Sequence, residues 1–381
     1  MNDKKIIIFT WCHYGHANFG QILQCYALEH VCEDLGFDVQ VLRYRKLYEN
    51  ESIDNIPDDK TEYDKYEKNL FLSQFVDASE EYYDIFEDFI EKNIRRTRHC
   101  HNQQQIIGIC NNMDIIIVGS DQLWNPALFD EVYLPDYLGK DKRLISYATS
   151  GISSEKGKYK TIIKKIADSL RAFKYVSVRE QISREILSKY IDRKISVVVD
   201  PTLLLTNREW DCIASPRLID EEYFLCFCYG GFQPHKHLIK ELKKKYMNIE
   251  KICLVQIDGV CDNPNLMDNM IVYKNASPCD FLSLIKYSSV VCTDSFHAYA
   301  FSLIYQKDVY LLSLAYTPED FISSERINNI SNILGIESRW LRSKKDLKKI
   351  KQINYEDINI KLQKEIEYSK TYLVNALPKV D

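Results

Sequence analysis

Residues 4–44 read KKIIIFTWCHYGHANFGQILQCYALEHVCEDLGFDVQVLRY, and the spacing of apolar side chains in this stretch decides the fold class. Residues 5–10 are a β-rich run, and residues 13–20 a polar loop with two glycines. From 21 to 35 the side chains Ile22, Leu23, Tyr26, Ala27 and Val31 recur at helical spacing. Gly36 ends that helix, because glycine accepts a positive φ at no steric cost. Residues 39–44 then alternate as a second strand. Strand, helix and strand in so short a span make a βαβ unit, which implies a parallel sheet covered on both faces.

The pattern repeats outward. Strands are expected at 113–119, 144–148, 175–178 and 195–199, with helices at 157–172 and 181–190 between them. Asp200-Pro201 is a boundary candidate, since proline stops a strand and biases its neighbour towards extended geometry. Beyond it a strand at 222–229 opens a second β/α series that runs to about residue 335, followed by one terminal helix at 355–377. Residues 48–105 are charged and rich in tyrosine; they read as an insertion or as loosely packed helices, and no chemistry is legible in them. The expectation is therefore an α/β protein of two Rossmann-like domains, 1–200 and 201–381, facing across a cleft. Ligands of open α/β sheets gather at such a place.

Composition excludes several classes. The chain has 381 residues, 45% hydrophobic and 28% charged, which suits two globular cores and not a disordered segment. A net charge of -5 gives it no overall attraction to nucleic acid or anionic lipid, so an anionic substrate needs a local basic cluster. The apolar runs are strand-length, far short of the roughly 18 residues that span a bilayer. The run at 6–9 is too short for the core of a signal peptide and no small-residue cleavage site follows, so a cytoplasmic location is expected. The twelve cysteines include no CxxC pair, and Cys25, Cys32, Cys226, Cys228, Cys253 and Cys292 sit inside apolar patterns where a reduced thiol acts as a small core residue. The clusters His99-Cys100-His101, Cys12-His13 with His16, and His235 with His237 lack zinc-site spacing and read as polar clusters; no metal is expected.

Several short stretches carry chemistry in a fixed order: NFGQILQCYAL at 18–28, VGSDQLWN at 118–125, SYA at 146–148, SVRE at 177–180, DPTLL at 200–204, TDSFH at 293–297 and SERI at 324–327. Together they resemble the polysaccharide pyruvyl transferase family, whose fold is similar to that of the two-domain GT-B glycosyltransferases. The stretches cover most of the chain outside 48–105. Two positions depart from the family pattern: Ala298 stands where glycine is more usual, and the loop at 18 has a single asparagine.

The residues themselves support roles of this kind. Asn18, Gly20 and Gln21 lie between a strand end and a helix start, where backbone N–H groups suit an anion or a sugar hydroxyl; an ordinary helix cap at Asn18 or Gly20 has the same appearance. Ser120, Asp121, Gln122, Trp124 and Asn125 follow a buried strand, with polar groups around an aromatic face as a sugar site requires. The other reading is an N-capped helix with a core tryptophan; Asp121 would bind a hydroxyl or act as base. Arg179, at a strand end, and Arg326 offer planar guanidinium groups for a carboxylate and a phosphate, and surface ion pairs would look alike. His297, with Ser295 beside it, is placed near a helix start after a strand, where an imidazole can exchange protons. Asp294 would orient that ring or cap the helix.

The resemblance implies a reaction in which phosphoenolpyruvate, as co-substrate and with no further cofactor, gives a pyruvate ketal on a sugar hydroxyl pair. It places His297, Asp121 and Asp294 in catalysis and the other named residues in substrate binding. The acceptor is a polysaccharide or its lipid-linked precursor. The latter calls for transient docking at a membrane, with the basic stretches 240–245 and 344–351 as candidates; solvated helix faces are the plainer reading of those lysines. The alternatives are a glycosyltransferase that uses a nucleotide sugar, and a glycan-binding protein without catalysis.

Overall fold

The computed structural model describes residues 4–12, 18–49, 51–74, 79–256, 269–312 and 318–379, with only the backbone at 74 and 318–324. The first half begins with β1 (Lys5–Phe9), α1 (Phe19–Asp34) and β2 (Asp38–Val41), the βαβ unit of the opening stretch. Three helices follow, α2 (Lys60–Gln74), α3 (Glu80–Asn93) and α4 (Gln103–Cys110). Next come β3 (Ile115–Val118), β4 (Arg143–Ser146), α5 (Tyr159–Ser169), β5 (Ser177–Val178), α6 (Gln181–Leu187) and β6 (Ser196–Val197). The strands run parallel in the order β2-β1-β3-β4, and the short β5-β6 pair extends that edge through bridges from Ile145 to Tyr175 and from Thr149 to Val178.

A single-turn 3-10 helix at Pro201–Leu204 leads into α7 (Asn207–Asp211) and the second half. That half contains β7 (Tyr223–Phe227), α8 (Lys236–Lys243), β8 (Lys251–Val255), β9 (Met270–Tyr273) and α9 (Pro278–Tyr287). It continues with β10 (Val290–Thr293), α10 (Phe296–Ile304), β11 (Asp308–Leu312), α11 (Pro318–Leu334) and β12 (Trp340–Leu341). Its sheet is parallel in the order β12-β11-β10-β7-β8-β9, which is the order of the dinucleotide-binding fold. Each sheet therefore has one point where the strand order reverses, between β1 and β3 in the first and between β7 and β10 in the second. The protein is an α/β chain of two Rossmann-like sheets.

The last helix, α12 (Tyr355–Ala376), packs on α11 and then returns to the first half. Ser369 Oγ accepts a hydrogen bond from Val199 N at 3.0 Å, and the Tyr372 hydroxyl donates to Ser146 O at 2.8 Å. Among the described residues no helix is long and apolar enough to cross a membrane.

The largest apolar cluster is shared by both halves. It joins Ile6, Ile8 and the inner face of α1 to Phe227, Phe281, Phe296 and Phe301. Phe19 is its junction: its ring stacks on Phe281 at 4.5 Å and also meets Phe86 at 5.2 Å and Phe227 at 5.6 Å. The helices of 48–105 are not loosely packed. Tyr63, Tyr82, Tyr83 and Phe86 are buried, and Arg43, itself buried, holds Asp64 and Glu67 at 2.7 Å each. Arg96 pairs with Glu87 and Glu91. Arg43 and Arg96 are paired with carboxylates of this stretch, and Tyr63, Tyr82 and Phe86 lie in the core.

Within α1, Glu29 is almost wholly buried; one carboxylate oxygen accepts from Arg95 N at 2.8 Å and the other has no hydrogen-bond partner. Burial pushes its carboxyl up to about 8, against the Arg95 contacts that favour the charged form. Between its ordinary value and about 8, the folded chain keeps a proton that the unfolded chain releases. This contribution to stability is thus complete at acid pH and is lost as pH rises through that window. Glu29→Gln should remove the loss, so denaturant titrations at about pH 5 and about pH 8 should differ less in the variant, by on the order of a few kcal/mol. Equal pH slopes in both proteins would contradict this account.

Candidate functional site

The two points of strand-order reversal face each other, and polar groups bridge each one. In the first half the Thr10 hydroxyl, just past β1, donates to Ser120 O, just past β3, at 3.2 Å. In the second half Asp294, just past β10, accepts from the backbone N–H of Tyr229 and Gly230, just past β7, at 2.8 and 2.9 Å. The Tyr229 hydroxyl crosses between the halves here, donating to Asn18 Oδ1 at 3.1 Å.

Arg179 follows β5 and is 3% exposed, so it is not in a surface ion pair with its neighbour Glu180. Its Nη2 meets Asp200 Oδ2 at 2.8 Å and also contacts the Ser120 hydroxyl, while Nε and Nη1 are buried with no hydrogen-bond partner. Buried donors without partners are rare and call for an explanation. Asn329 of α11 fixes the backbone around Arg179, donating to Arg179 O and accepting from Gln181 N, both at 3.1 Å. Arg326, three residues earlier on the same helix, comes to the same spot. The Arg179 guanidinium lies 5.2 Å and that of Arg326 5.5 Å from the centre of one ring, Phe296. Burial, and then the Arg179 charge, lower the proton affinity of Arg326, opposed by Asp121, Glu180 and Asp200.

His297 is the second residue of α10, behind the N-cap Ser295, whose hydroxyl accepts from Ala298 N at 3.4 Å. Its Nε2 stands 3.6 Å from Asp200 Oδ2, an ion-pair distance just beyond a hydrogen bond. Burial opposes a charged Asp200, but Arg179 and His297 outweigh it and hold this carboxyl well below the usual range. The first turn of α1 closes on the same imidazole: a Cβ added to Gly20 would lie 1.9 Å from His297 Nδ1. Only glycine allows that approach.

The other expected residues divide. Asp121 has a φ of 75° and is buried; it accepts from Gln122 N at 2.8 Å, and its charge is felt by Arg326. Ser120 is buried against Arg179. Asn18 is the N-cap of α1, accepting from Gln21 N at 3.1 Å, and Gln21 is buried in the first turn. Gln122 and Asn125 bond to each other at 3.0 Å, and Asn125 also accepts from Ala127 N.

Two expectations are corrected. Trp124 offers no face to a sugar: it is fully buried, donates from its indole nitrogen to Tyr133 O at 3.4 Å and packs edge-on against Phe173. Asp294 neither caps α10 nor supplies the carboxylate beside the imidazole; its oxygens tie β10 to β7, Ser295 is the cap, and Asp200 faces the ring. Sequence reasoning took Asp200 for a domain boundary alone. An acidic residue at a strand end inside a quoted motif was the available signal. Glu180, bonded to the Ser150 and Ser183 hydroxyls at 2.5 and 3.1 Å, was also missed.

Two histidines of the sequence clusters have partners among the described residues. His99 stacks on Tyr63 at 3.7 Å and His101 Nδ1 lies 2.9 Å from Arg45 O, while His13 and His16 fall outside the described residues.

Known proteins agree with this architecture. The solved structures of similar fold include a putative UDP-N-acetylglucosamine 2-epimerase from Listeria monocytogenes, with 10% identity over 98% of this chain and 95% of that one and a TM-score of 0.53. A UDP-GlcNAc 2-epimerase from Neisseria meningitidis, bound to UDP-GlcNAc, shows 12% identity over 98% of this chain and 100% of that one, with a TM-score of 0.52. The glycotransferase of kitacinnamycin shows 10% identity over 99% and 100%, with a TM-score of 0.51. Identities this low speak for the fold, which is of the GT-B kind. No curated protein matches the chain. The family model described as polysaccharide pyruvyl transferase matches residues 18–316, from the Asn18 cap through the His297 helix. A match of that extent, spanning both halves and the corner where they meet, shows that this chain belongs to the polysaccharide pyruvyl transferase family of transferases.

Proposed function

We propose that this transferase moves the three-carbon unit of phosphoenolpyruvate onto two hydroxyls of one sugar, in a polysaccharide or its lipid-linked precursor, and releases phosphate. The observation that carries the reading is the pair of guanidinium groups, one from each half, over the single Phe296 ring beside His297. Phosphoenolpyruvate has a carboxylate and a phosphate on adjacent positions, and two planar guanidiniums suit such a pair of anions. The buried, unpartnered Nε and Nη1 of Arg179 fit a group that accepts hydrogen bonds.

In this reading His297 gives a proton to the methylene carbon of the donor, which leaves cationic character at C2. The first sugar hydroxyl attacks C2 and loses its proton, and in this reading Asp121 receives it. The C2–O bond to phosphate breaks and phosphate leaves with the bridging oxygen. The second hydroxyl then adds at C2 and loses its proton, closing the cyclic ketal. Of the two protons released, one replaces that given by His297 and the other goes to the phosphate or to solvent. Arg179 and Arg326 stabilise the anionic groups while charge develops, and the buried setting strengthens each of these contacts.

Incubation with phosphoenolpyruvate and candidate glycans should release phosphate and add a pyruvate-sized mass to the glycan. Phosphoenolpyruvate should also raise the melting temperature, and stabilisation by a UDP- or GDP-sugar instead would favour a glycosyltransferase. Stabilisation by none of them, with no turnover, would favour a glycan-binding protein.

Three variants bear on the roles. His297→Gln should lower kcat by about 10²- to 10⁴-fold with little change in melting temperature. Arg326→Gln should raise KM for phosphoenolpyruvate by about 10- to 100-fold, the worth of one charged hydrogen bond. Gly20→Ala should cost most of the activity, because the added methyl must push the imidazole away; normal turnover in that variant would show that the ring position does not matter.

A further inference from the structure

The His297 ring is approached on two edges by residues that cannot easily move. On one edge is Asp200. Its Oδ1 accepts from Thr202 N at 2.9 Å and from the Thr202 hydroxyl at 2.6 Å, as the cap of the 3-10 turn that joins the halves. That grip leaves Oδ2 aimed at Arg179 Nη2, 2.8 Å away, and at His297 Nε2, 3.6 Å away, with the Ser120 hydroxyl at 3.5 Å. Nε2 is buried and has no hydrogen-bond partner, and the Asp200 carboxylate faces it at ion-pair distance. On the other edge Nδ1 faces the first turn of α1 at Gly20. The remaining charges of this corner are Arg179 and Glu180 after β5, Asp121 after β3, Arg326 on α11 and Asp294 after β10. Glu180 is engaged by Ser150 and Ser183, and Asp294 by Tyr229 and Gly230.

We infer that Asp200 is the positioning residue of this site: it holds the Nε2 proton of His297, so that Nδ1 is the nitrogen that exchanges a proton with bound substrate. The inference rests on the reading of His297 as the proton donor. A carboxylate on one ring nitrogen fixes the tautomer and favours the imidazolium, the form able to protonate carbon near neutral pH. Because the same oxygen also neutralises Arg179, one fixed charge serves both the proton donor and the anion clamp. It comes from the segment that belongs to neither sheet, and so it keeps register with both. This also accounts for Gly20 by chemistry: a side chain there would cover the nitrogen that works.

The test uses the full chain carrying isotope-labelled histidine, with the His297 signal identified by its loss in His297→Gln. In the unsubstituted protein the neutral ring should carry its proton on Nε2, and Asp200→Asn should lose that preference. The amide oxygen of Asn still accepts from Thr202, but Arg179 loses its buried counter-charge, so the melting temperature should fall. In turnover, Asp200→Asn should shift the histidine limb of the pH–rate profile to lower pH and reduce kcat more than it changes KM for phosphoenolpyruvate. Asp200→Glu should not restore the profile, because the longer arm cannot keep both the Thr202 bonds and the ring contact. A neutral ring protonated at Nδ1, or an unchanged preference in Asp200→Asn, overturns the inference. If Asp200→Asn does not fold, the tautomer of the parent protein decides alone. Absence of turnover with phosphoenolpyruvate would count against the proposed reaction, while the tautomer would still decide the role of Asp200.

Discussion

A guanidinium sealed between two protein cores is the constraint on which the rest of this structure depends. Removing Arg179 from water costs several kcal/mol, and only a fixed opposite charge and added hydrogen bonds offset that. Asp200 and Ser120 supply them on one side, and Asn329 locks the backbone on the other. These three partners come from the joining segment, the end of β3 and a helix of the second half. One buried charge therefore sets where three separate parts of the chain must sit. Such a pair is weak evidence for stability, since an apolar replacement is often as stable. Its value lies in position. The charge specifies one arrangement of the two halves.

Apolar packing provides the stability that the charge does not. Phe19 opens α1 and lies among Phe86, Phe227 and Phe281, so α1, an insertion helix, the second sheet and α9 all meet at one ring. The polar neighbours of Phe19 take their places as a consequence. Asn18 becomes the cap that also accepts from Tyr229, and Gly20 comes up against His297. Thus a residue with no chemistry of its own aims the loop that has chemistry. The return of α12 to Ser146 and Val199 adds a second tie on the far side of the first sheet.

Much of this was legible in the sequence, for identifiable reasons. The strand–helix–strand rhythm of residues 4–44 depends on local periodicity, and the structure follows it to within a few residues. The position of His297 was legible because a buried strand followed by a capped helix puts the first-turn side chains at the end of a sheet. The fates of Trp124 and Asp294 were not. Both stand at strand ends with polar neighbours, and whether such a side chain turns to the mouth or into the core depends on Phe173, Tyr133 and Tyr229, which are distant in sequence or lie on another strand. Asp200 was obscured by the proline after it, which reads as punctuation. The insertion was misjudged for a related reason: pairs such as Arg43 with Glu67 close over long loops, and composition cannot report whether charges find each other.

The arrangement also explains why the site sits at the seam and not within one sheet. A strand-order reversal offers a crevice with backbone N–H groups and loop side chains at hand, and each half has one. Neither crevice alone brings two guanidiniums and an imidazole together, because Arg179 belongs to the first half and Arg326 and His297 to the second. Facing the crevices solves this, provided the halves do not drift. A displacement of about 1 Å is enough to spoil proton transfer or anion binding. The tightest constraint on that drift is the missing side chain of Gly20, where the backbone of one half meets the ring of the other at contact distance. In the proposed reaction a glycine at that point therefore counts, although it brings no functional group.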